Sequence, residues 1–506
     1  MLVQIVADNN VPDSRGAEST DAERGEDSGI FSQLRSMLEF FYIKEVPSYS
    51  NNFFFTIGIY LIELFGILAV TGMIMLVFGP YWWNLTVAGT FMRSVHLWAA
   101  EAFVTLMLIH MFVNLSTSAF KRKKLVWVLG SVILFVVFLE YAFGIGLRGD
   151  FVSQWNAKAG ADLWNGMGLG YWVNPLNFGA VLGWHVAIVP LLLVALIFTH
   201  YMMVKSKGLS KPYRNDIPYS MVPANHRQMY RRMVYVLAIV LLFAVLFRAP
   251  YIPPLTIQSV AANSPSVMAL TLLNEFNYSS PTATYLDTID PYTFSTRAVF
   301  VTIPYEAYVK LFGSPNYENV YLAEPKSSRI NEYSQAYTYF SDNGSVAGGV
   351  NSTDPLIAVT SQLVLMAQAG VYQPVLQNEA SSGLDNTYVI NFLNDSGALP
   401  EEAEKYGLAA PMWLGISKAG SSLWPPGSYW AAPYGALEML TSGIRWWGDL
   451  ENGIVAVAIF IVFMALPYIP GLRELPDRMG LYKLFWNRYT VPELKNNKRK
   501  AKEKPG

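Results

Sequence analysis

The chain has 506 residues, of which 52% are hydrophobic and only 14% charged, well short of the roughly one-quarter charged residues of a soluble protein. Its formal net charge of -1 points to no particular partner. The absence of cysteine excludes disulfides, iron–sulfur ligation, thiolate metal sites and the C-x-x-C-H attachment motif.

Residues 1–29 are polar and acidic and read as a disordered tail without an apolar signal segment. Residues 30–48 mix Phe31, Leu34, Leu38, Phe41 and Ile43 with Arg35 and Lys44, a pattern that predicts an amphipathic helix on a membrane surface. Five apolar spans follow, near 52–79, 94–117, 124–147, 181–204 and 231–250, and a sixth lies near 453–469. Each is long enough to cross a bilayer core of about 30 Å. The fold class expected is therefore an all-α membrane protein, a bundle of about six spans.

Between the fifth and sixth spans, residues 251–424 are rich in Ser, Thr, Tyr, Asn and Pro. They read as a water-exposed insertion domain. The run Pro355 to Val371 predicts one helix, and much of the rest predicts short strands and loops. Residues 425–470 hold the last span, and 471–506 form a basic tail. The basic clusters Lys121 to Lys124, Lys205 to Arg232 and Lys495 to Lys504 all fall on one side of a six-span arrangement. That side is the expected cytoplasmic face of a plasma membrane, with both termini there and the insertion outside. Four Asn-x-Ser/Thr sequons, at Asn277, Asn343, Asn351 and Asn394, fit the outside placement.

Only five histidines occur: His96, His110, His185, His200 and His226. His226 sits in the basic loop before the fifth span and reads as a solvated residue. The other four are paired. His96 and His110 are fourteen residues apart on the second span, and His185 and His200 fifteen apart on the fourth. On a helix these steps return to within about 40° and about 60° of the starting direction, after about 21–22 Å of rise. Each pair thus occupies one face, and the two helices present facing imidazoles at two levels. Such pairs can hold two haem irons axially, giving a four-helix dihaem core. Ligands about 20 Å apart on one helix cannot share a zinc ion. Four ionisable groups in matched pairs are costly to keep in lipid without a function. Gly58 and Gly72 on the first span, and Gly130 and Gly144 on the third, repeat the fourteen-residue spacing. They predict clearance for a flat cofactor, since a residue without a side chain permits close backbone approach.

With these residues the sequence resembles the cytochrome b family of quinol-oxidising cytochrome bc complexes, over roughly residues 30–250 and 424–470. The fifteen-residue spacing resembles the plant and cyanobacterial branch, and the long insertion an archaeal-type variant. Arg93 resembles the arginine that the family places near a haem propionate, Pro190 its proline in the fourth helix, and Trp155 a tryptophan of the loop between spans three and four. The resemblance implies a dihaem subunit that passes electrons from quinol across the membrane with proton translocation. Implied partners are a Rieske iron–sulfur protein, other respiratory subunits, quinone and membrane lipid, with a homodimer as the usual assembly and no nucleic acid. The haems are b-type or a-type. A subunit of a terminal quinol oxidase and a dihaem anchor for another dehydrogenase are the competing assignments.

Lys205, five residues after His200, stands where the family often has a polar quinone-site residue, or serves as a positive-inside anchor. The family's Pro-Glu-Trp-Tyr motif is replaced by Pro426-Gly427-Ser428-Tyr429, which retains Tyr429 and loses the glutamate. Glu140 and Asp150 are the leading substitutes for the missing acid, with Glu101 close by. Pairing with Arg93 or Arg148 is the alternative role for each.

Overall fold

The computed structural model describes residues 43–170, 172–209, 220–284, 294–342, 344–380, 383–408, 432–444 and 447–485. The chain is an all-α membrane bundle with a short two-stranded sheet. Strand β1 (Glu45–Pro47) leads into α1 (Phe53–Leu85), α2 (Val87–Ser116), α3 (Lys124–Gly146) and α4 (Phe151–Gly166). Helix α5 is composite: Phe178–Gly183, a π-helical turn over Trp184–Ile188, and Val189–Lys207. Strand β2 (Met221–Pro223) pairs antiparallel with β1, and α6 (His226–Leu246) follows. Residues 45–47 are thus extended rather than part of the expected surface helix. His226 opens a helix capped by Asn225 instead of lying in a loop. Among the described residues, six helices are long and apolar enough to cross a membrane.

Local chemistry sets the helix limits. Gly79 breaks the helical path of α1 with φ 76°, immediately before Pro80, and the chain resumes helix to Leu85. The turn into α2 admits only glycine at position 89, where a Cβ would lie 2.0 Å from the Trp82 carbonyl oxygen. Thr86 caps α2 by accepting from Gly89 N–H, and Asp150 caps α4 by accepting from Ser153 N–H.

The bundle core joins α1 to α2 and α3 to α5, with α6 packed on α2. Trp98 Nε1 donates to the Phe247 carbonyl at 2.7 Å. Ser118 and Lys121, between α2 and α3, bond to Asp477 beyond the last span. Arg232 on α6 donates to the Asn51 carbonyl at 3.0 Å. The basic loops, the start of α1 and residues 474–477 therefore share one end of the bundle, called here the basic end.

The insertion occupies the other end, and its described residues are largely helical. Helices α7 (Ile257–Asn263), α8 (Pro265–Phe276), α9 (Ile303–Phe312), α10 (Tyr317–Ala323) and α11 (Lys326–Ser341) surround α12 (Pro355–Gln368). Then come α13 (Tyr372–Glu379), α14 (Thr387–Asp395) and α15 (Ala398–Lys405), followed by α16 (Ala432–Thr441) and the sixth span α17 (Asp449–Ala465). The helix expected over 355–371 is present as Pro355–Gln368, and among the described residues of the insertion the expected strands are replaced by helices. Two prolines that resembled loop punctuation, Pro265 and Pro355, sit in the first turn of a helix, where a missing N–H is harmless, and Pro304 follows a π-helical turn over Ala298–Thr302. Much of the tyrosine enters the core. Tyr305, Tyr321 and Tyr372 are buried, with hydroxyls donated to Gln362 Oε1 at 3.0 Å, the Arg329 carbonyl at 3.1 Å and the Phe300 carbonyl at 2.5 Å. The same core takes in Phe151, Val152, Ala157 and Ala161 of α4, so the insertion grows out of the bundle cap.

Candidate cofactor centre

The four histidines project from α2 and α5 into the middle of the four-helix core. All are half-buried. His96 faces His185 at the insertion end, with ring centroids 6.3 Å apart and planes inclined by 69°. Two metal–nitrogen bonds of about 2 Å and two half-rings of about 1 Å span about 6 Å, so the gap suits one axially ligated metal. His110 and His200 form the corresponding level toward the basic end.

Each histidine has its own glycine on the neighbouring helix. A Cβ built at Gly72 would lie 3.4 Å from His96 Cε1, and one at Gly144 3.0 Å from His185 Cε1. At the other level the distances are 3.9 Å from Gly58 to His110 Cε1 and 3.3 Å from Gly130 to His200 Cε1. The glycines thus admit the imidazoles themselves, a closer role than clearance for a cofactor plane.

The fifteen-residue spacing on α5 also has a local account. The π turn over Trp184–Ile188 contains His185 and absorbs one residue relative to an α-helix. The remaining path matches the fourteen-residue phase of α2. Pro190 follows in the first turn of the next helical segment.

Ring nitrogens turned away from the gap are held at the insertion end. Thr71 Oγ1 lies 2.8 Å from His96 Nδ1. His185 Nδ1 lies 3.1 Å from both Glu140 Oε1 and the Glu140 carbonyl oxygen. These contacts leave Nε2 to face a metal, so the residues fit a bis-histidine haem. Thr71 gave no signal in the sequence, because a threonine in an apolar helix ordinarily bonds the preceding turn. It does so here as well, to Ile67 at 2.7 Å.

Beside this level, Asp150 is fully buried and pairs with Arg148 at 2.7 Å and Arg93 at 3.7 Å. Arg93 also bonds Asn84 and the Pro250 carbonyl, and Arg148 donates to the same carbonyl at 2.8 Å. Asp150 is thus an ion-paired helix cap. Glu101, buried on α2, accepts from the Tyr141 hydroxyl. Trp155 lies on α4 against the insertion core. At the basic end Lys205 lines an open hollow with Thr199, Met202, Met203 and Ser206. Tyr429 lies outside the described residues.

Comparison with known proteins finds relatives for part of this bundle. Residues 101–265 match the family cytochrome b(N-terminal)/b6/petB. Cytochrome b6 of Chlamydomonas reinhardtii is 32% identical over 138 residues, 24% of this chain and 63% of that protein. Cytochrome b6 of Heliomicrobium gestii is 28% identical over 197 residues, 33% of this chain and 89% of that protein. The chain spans less than two thirds of the length of the Chlamydomonas relative. A solved chain described as "Hyperthermophilic respiratory Complex III" overlaps 73% of this chain and 98% of its own length, with 16% identity and a TM-score of 0.36, too loose to define a shared fold.

Proposed function

We propose, from the match of residues 101–265 to the cytochrome b N-terminal/b6 family, that this chain is a dihaem electron carrier of a quinol-oxidising respiratory complex. The observation that carries the reading is the one-to-one pairing of four histidines with four glycines at two levels of one bundle. His96 and His185 hold one haem, and His110 and His200 the other. Bound haem supplies a one-electron acceptor at each level.

The chain's own residues do the rest. Gly72 and Gly144 let α1 and α3 close on the imidazoles at the insertion end, and Gly58 and Gly130 do so at the basic end. Arg93 and Arg148 set two guanidiniums against the single carboxylate of Asp150. The surplus positive charge suits the carboxylate of a haem propionate. With Asp150 committed to that cluster, the buried Glu101 and the half-buried Glu140 are the acids left to handle a quinol proton, and the sequence adds Tyr429 as a candidate. Lys205 and its hollow form the quinone end of the path. In this reading the insertion faces outward, where a Rieske-type partner would dock, and the basic end faces the cytoplasm.

The test is the absorbance of the complex purified from its membrane. Addition of a reduced quinol in the absence of oxygen produces a reduced haem band. A preparation that binds haem but stays oxidised under quinol, while dithionite reduces it, contradicts the quinol assignment.

A further inference from the structure

Besides the four Asn-x-Ser/Thr triplets of the insertion, two more lie in the bundle, Asn84-Leu85-Thr86 and Asn114-Leu115-Ser116. The fold treats these asparagines differently. Asn84 is buried, and its amide donates to the Arg148 carbonyl at 2.9 Å and accepts from Arg93. Asn114, half-buried on α2, donates to the His110 carbonyl at 2.8 Å. Asn394 is half-buried in the last turn of α14. The hydroxyl of its triplet, on Ser396, donates to the Leu393 carbonyl at 2.8 Å and accepts from Ala398 N–H at 3.2 Å. Asn343 lies outside the described residues.

Asn277 and Asn351 are both exposed, and each stands in a turn. Asn277 closes α8. Tyr278 beside it takes φ 56°, a left-handed conformation uncommon for a tyrosine, and turns the chain back. The Tyr278 hydroxyl lies 3.0 Å from Ser295 Oγ, and the Arg297 guanidinium covers the ring at 5.1 Å. The tyrosine thus pins the turn while Asn277 stays at the surface. Asn351 precedes α12 in a turn anchored on both sides. Gln362 Nε2 donates to the Val350 carbonyl at 3.0 Å, and Ser352 Oγ accepts from Asp354 N–H at 3.1 Å. Thr353, which supplies the hydroxyl of that triplet, is exposed.

We propose that Asn277 and Asn351 are N-glycosylation sites, and that Asn84, Asn114 and Asn394 are not. The inference rests on the outward placement of the insertion read above. In the reaction, the amide Nδ2 attacks the anomeric carbon of a lipid-phosphate-linked glycan, with a membrane-bound transferase as catalyst. A C–N bond forms, the C–O bond to phosphate breaks, the lipid phosphate leaves and Nδ2 gives up one proton. A glycan added before folding must finish outside the packed surface, and one added after folding needs an amide within reach. Both routes select Asn277 and Asn351. At Asn84 a glycan would displace the bonds to Arg93 and Arg148. A bulky, hydrophilic group on each turn also keeps partners of the insertion away from the end of α8 and the start of α12.

The test is glycopeptide mass spectrometry of the chain purified from its own membranes. Wild type is compared with Asn277→Gln, Asn351→Gln, Thr353→Ala and Thr353→Ser. The expected result is a glycan on Asn277 and on Asn351, with Asn84, Asn114 and Asn394 bare. Each Asn→Gln variant loses one glycan from the intact mass and keeps the haem content of wild type. Thr353→Ala loses the glycan while retaining Asn351, and Thr353→Ser restores it. A bare Asn277 or Asn351 in wild type overturns that site, and a glycan on Asn84, Asn114 or Asn394 overturns the selection by exposure. Because the chain has no cysteine, Gln335→Cys, exposed on α11, reports orientation through a membrane-impermeant maleimide on intact cells. Labelling with both asparagines bare sinks the glycosylation sites and leaves the orientation standing. No labelling with both bare overturns the orientation as well.

Discussion

A single methyl group separates tolerance from collision at the four glycines. At Gly144 an added Cβ comes within 3.0 Å of the His185 ring, whereas at Gly58 it stays 3.9 Å from His110. Overpacking of this kind costs about 1–3 kcal/mol, and at Gly144 it falls on the His185 ring. Gly144→Ala should therefore lower haem occupancy at the insertion end, and Gly58→Ala should leave both haems bound. Haem content per chain checks both, and equal loss in the two variants would show that the contacts do not set the site. The histidines and glycines were legible because helical phase is a property of spacing alone. Thr71 and the His185–Glu140 contact were not. They depend on rotamers and on the rotation of α1 and α3 about their axes, which no spacing on α2 or α5 records.

Among the elements, the spans were readable to within several residues at each end, since length and apolarity alone define them. The π turn in α5 was hidden in a fifteen-residue interval that looked like a phase error. The insertion was misread for a physical reason: prolines in first helical turns and tyrosines buried with satisfied hydroxyls imitate the composition of strands and loops. Its helices carry a pH signature. Burial, reinforced by Asp395, raises the Glu275 carboxyl from its ordinary 4.5 to about 9. Asp395 on α14 accepts from Thr282 N–H at 3.1 Å, and Glu275 on α8 accepts from the Ser280 hydroxyl at 2.7 Å. Between those two values the folded domain keeps a proton on Glu275 that the unfolded chain releases, so this group's contribution to stability is full below about pH 4.5 and is lost as pH rises toward 9. Amide exchange in α8 and α14 should quicken from about pH 5 to about pH 8, beyond the intrinsic base-catalysed increase. Glu275→Gln should remove most of that excess. Equal excess in wild type and variant would contradict the assignment.

For the molecule as a whole, the two hydrophobic cores meet at α4. Asp150 begins that helix beneath the insertion, and Phe151 and Val152 enter the insertion core one residue later. A second tie joins the start of α5 to α14. Asn174 donates to Thr387 Oγ1 at 2.9 Å, and Asn177 to Asp385 Oδ2 at 3.1 Å. The insertion is thereby braced on the helix that carries two of the histidines, so an event at its surface has a short mechanical route to the insertion-end level. Neither hydrogen bond of the second tie was visible in the sequence, because each joins residues more than two hundred positions apart.

The central claim is that one helix pair holds two haems, one at each level. Haem content and the reduced-minus-oxidised spectrum of wild type, His96→Ala and His110→Ala test it most directly. The account predicts two haems per chain in wild type and one in each variant, with a different spectral component missing from each. Wild-type protein without haem, or single variants that lose both haems or neither, would contradict it.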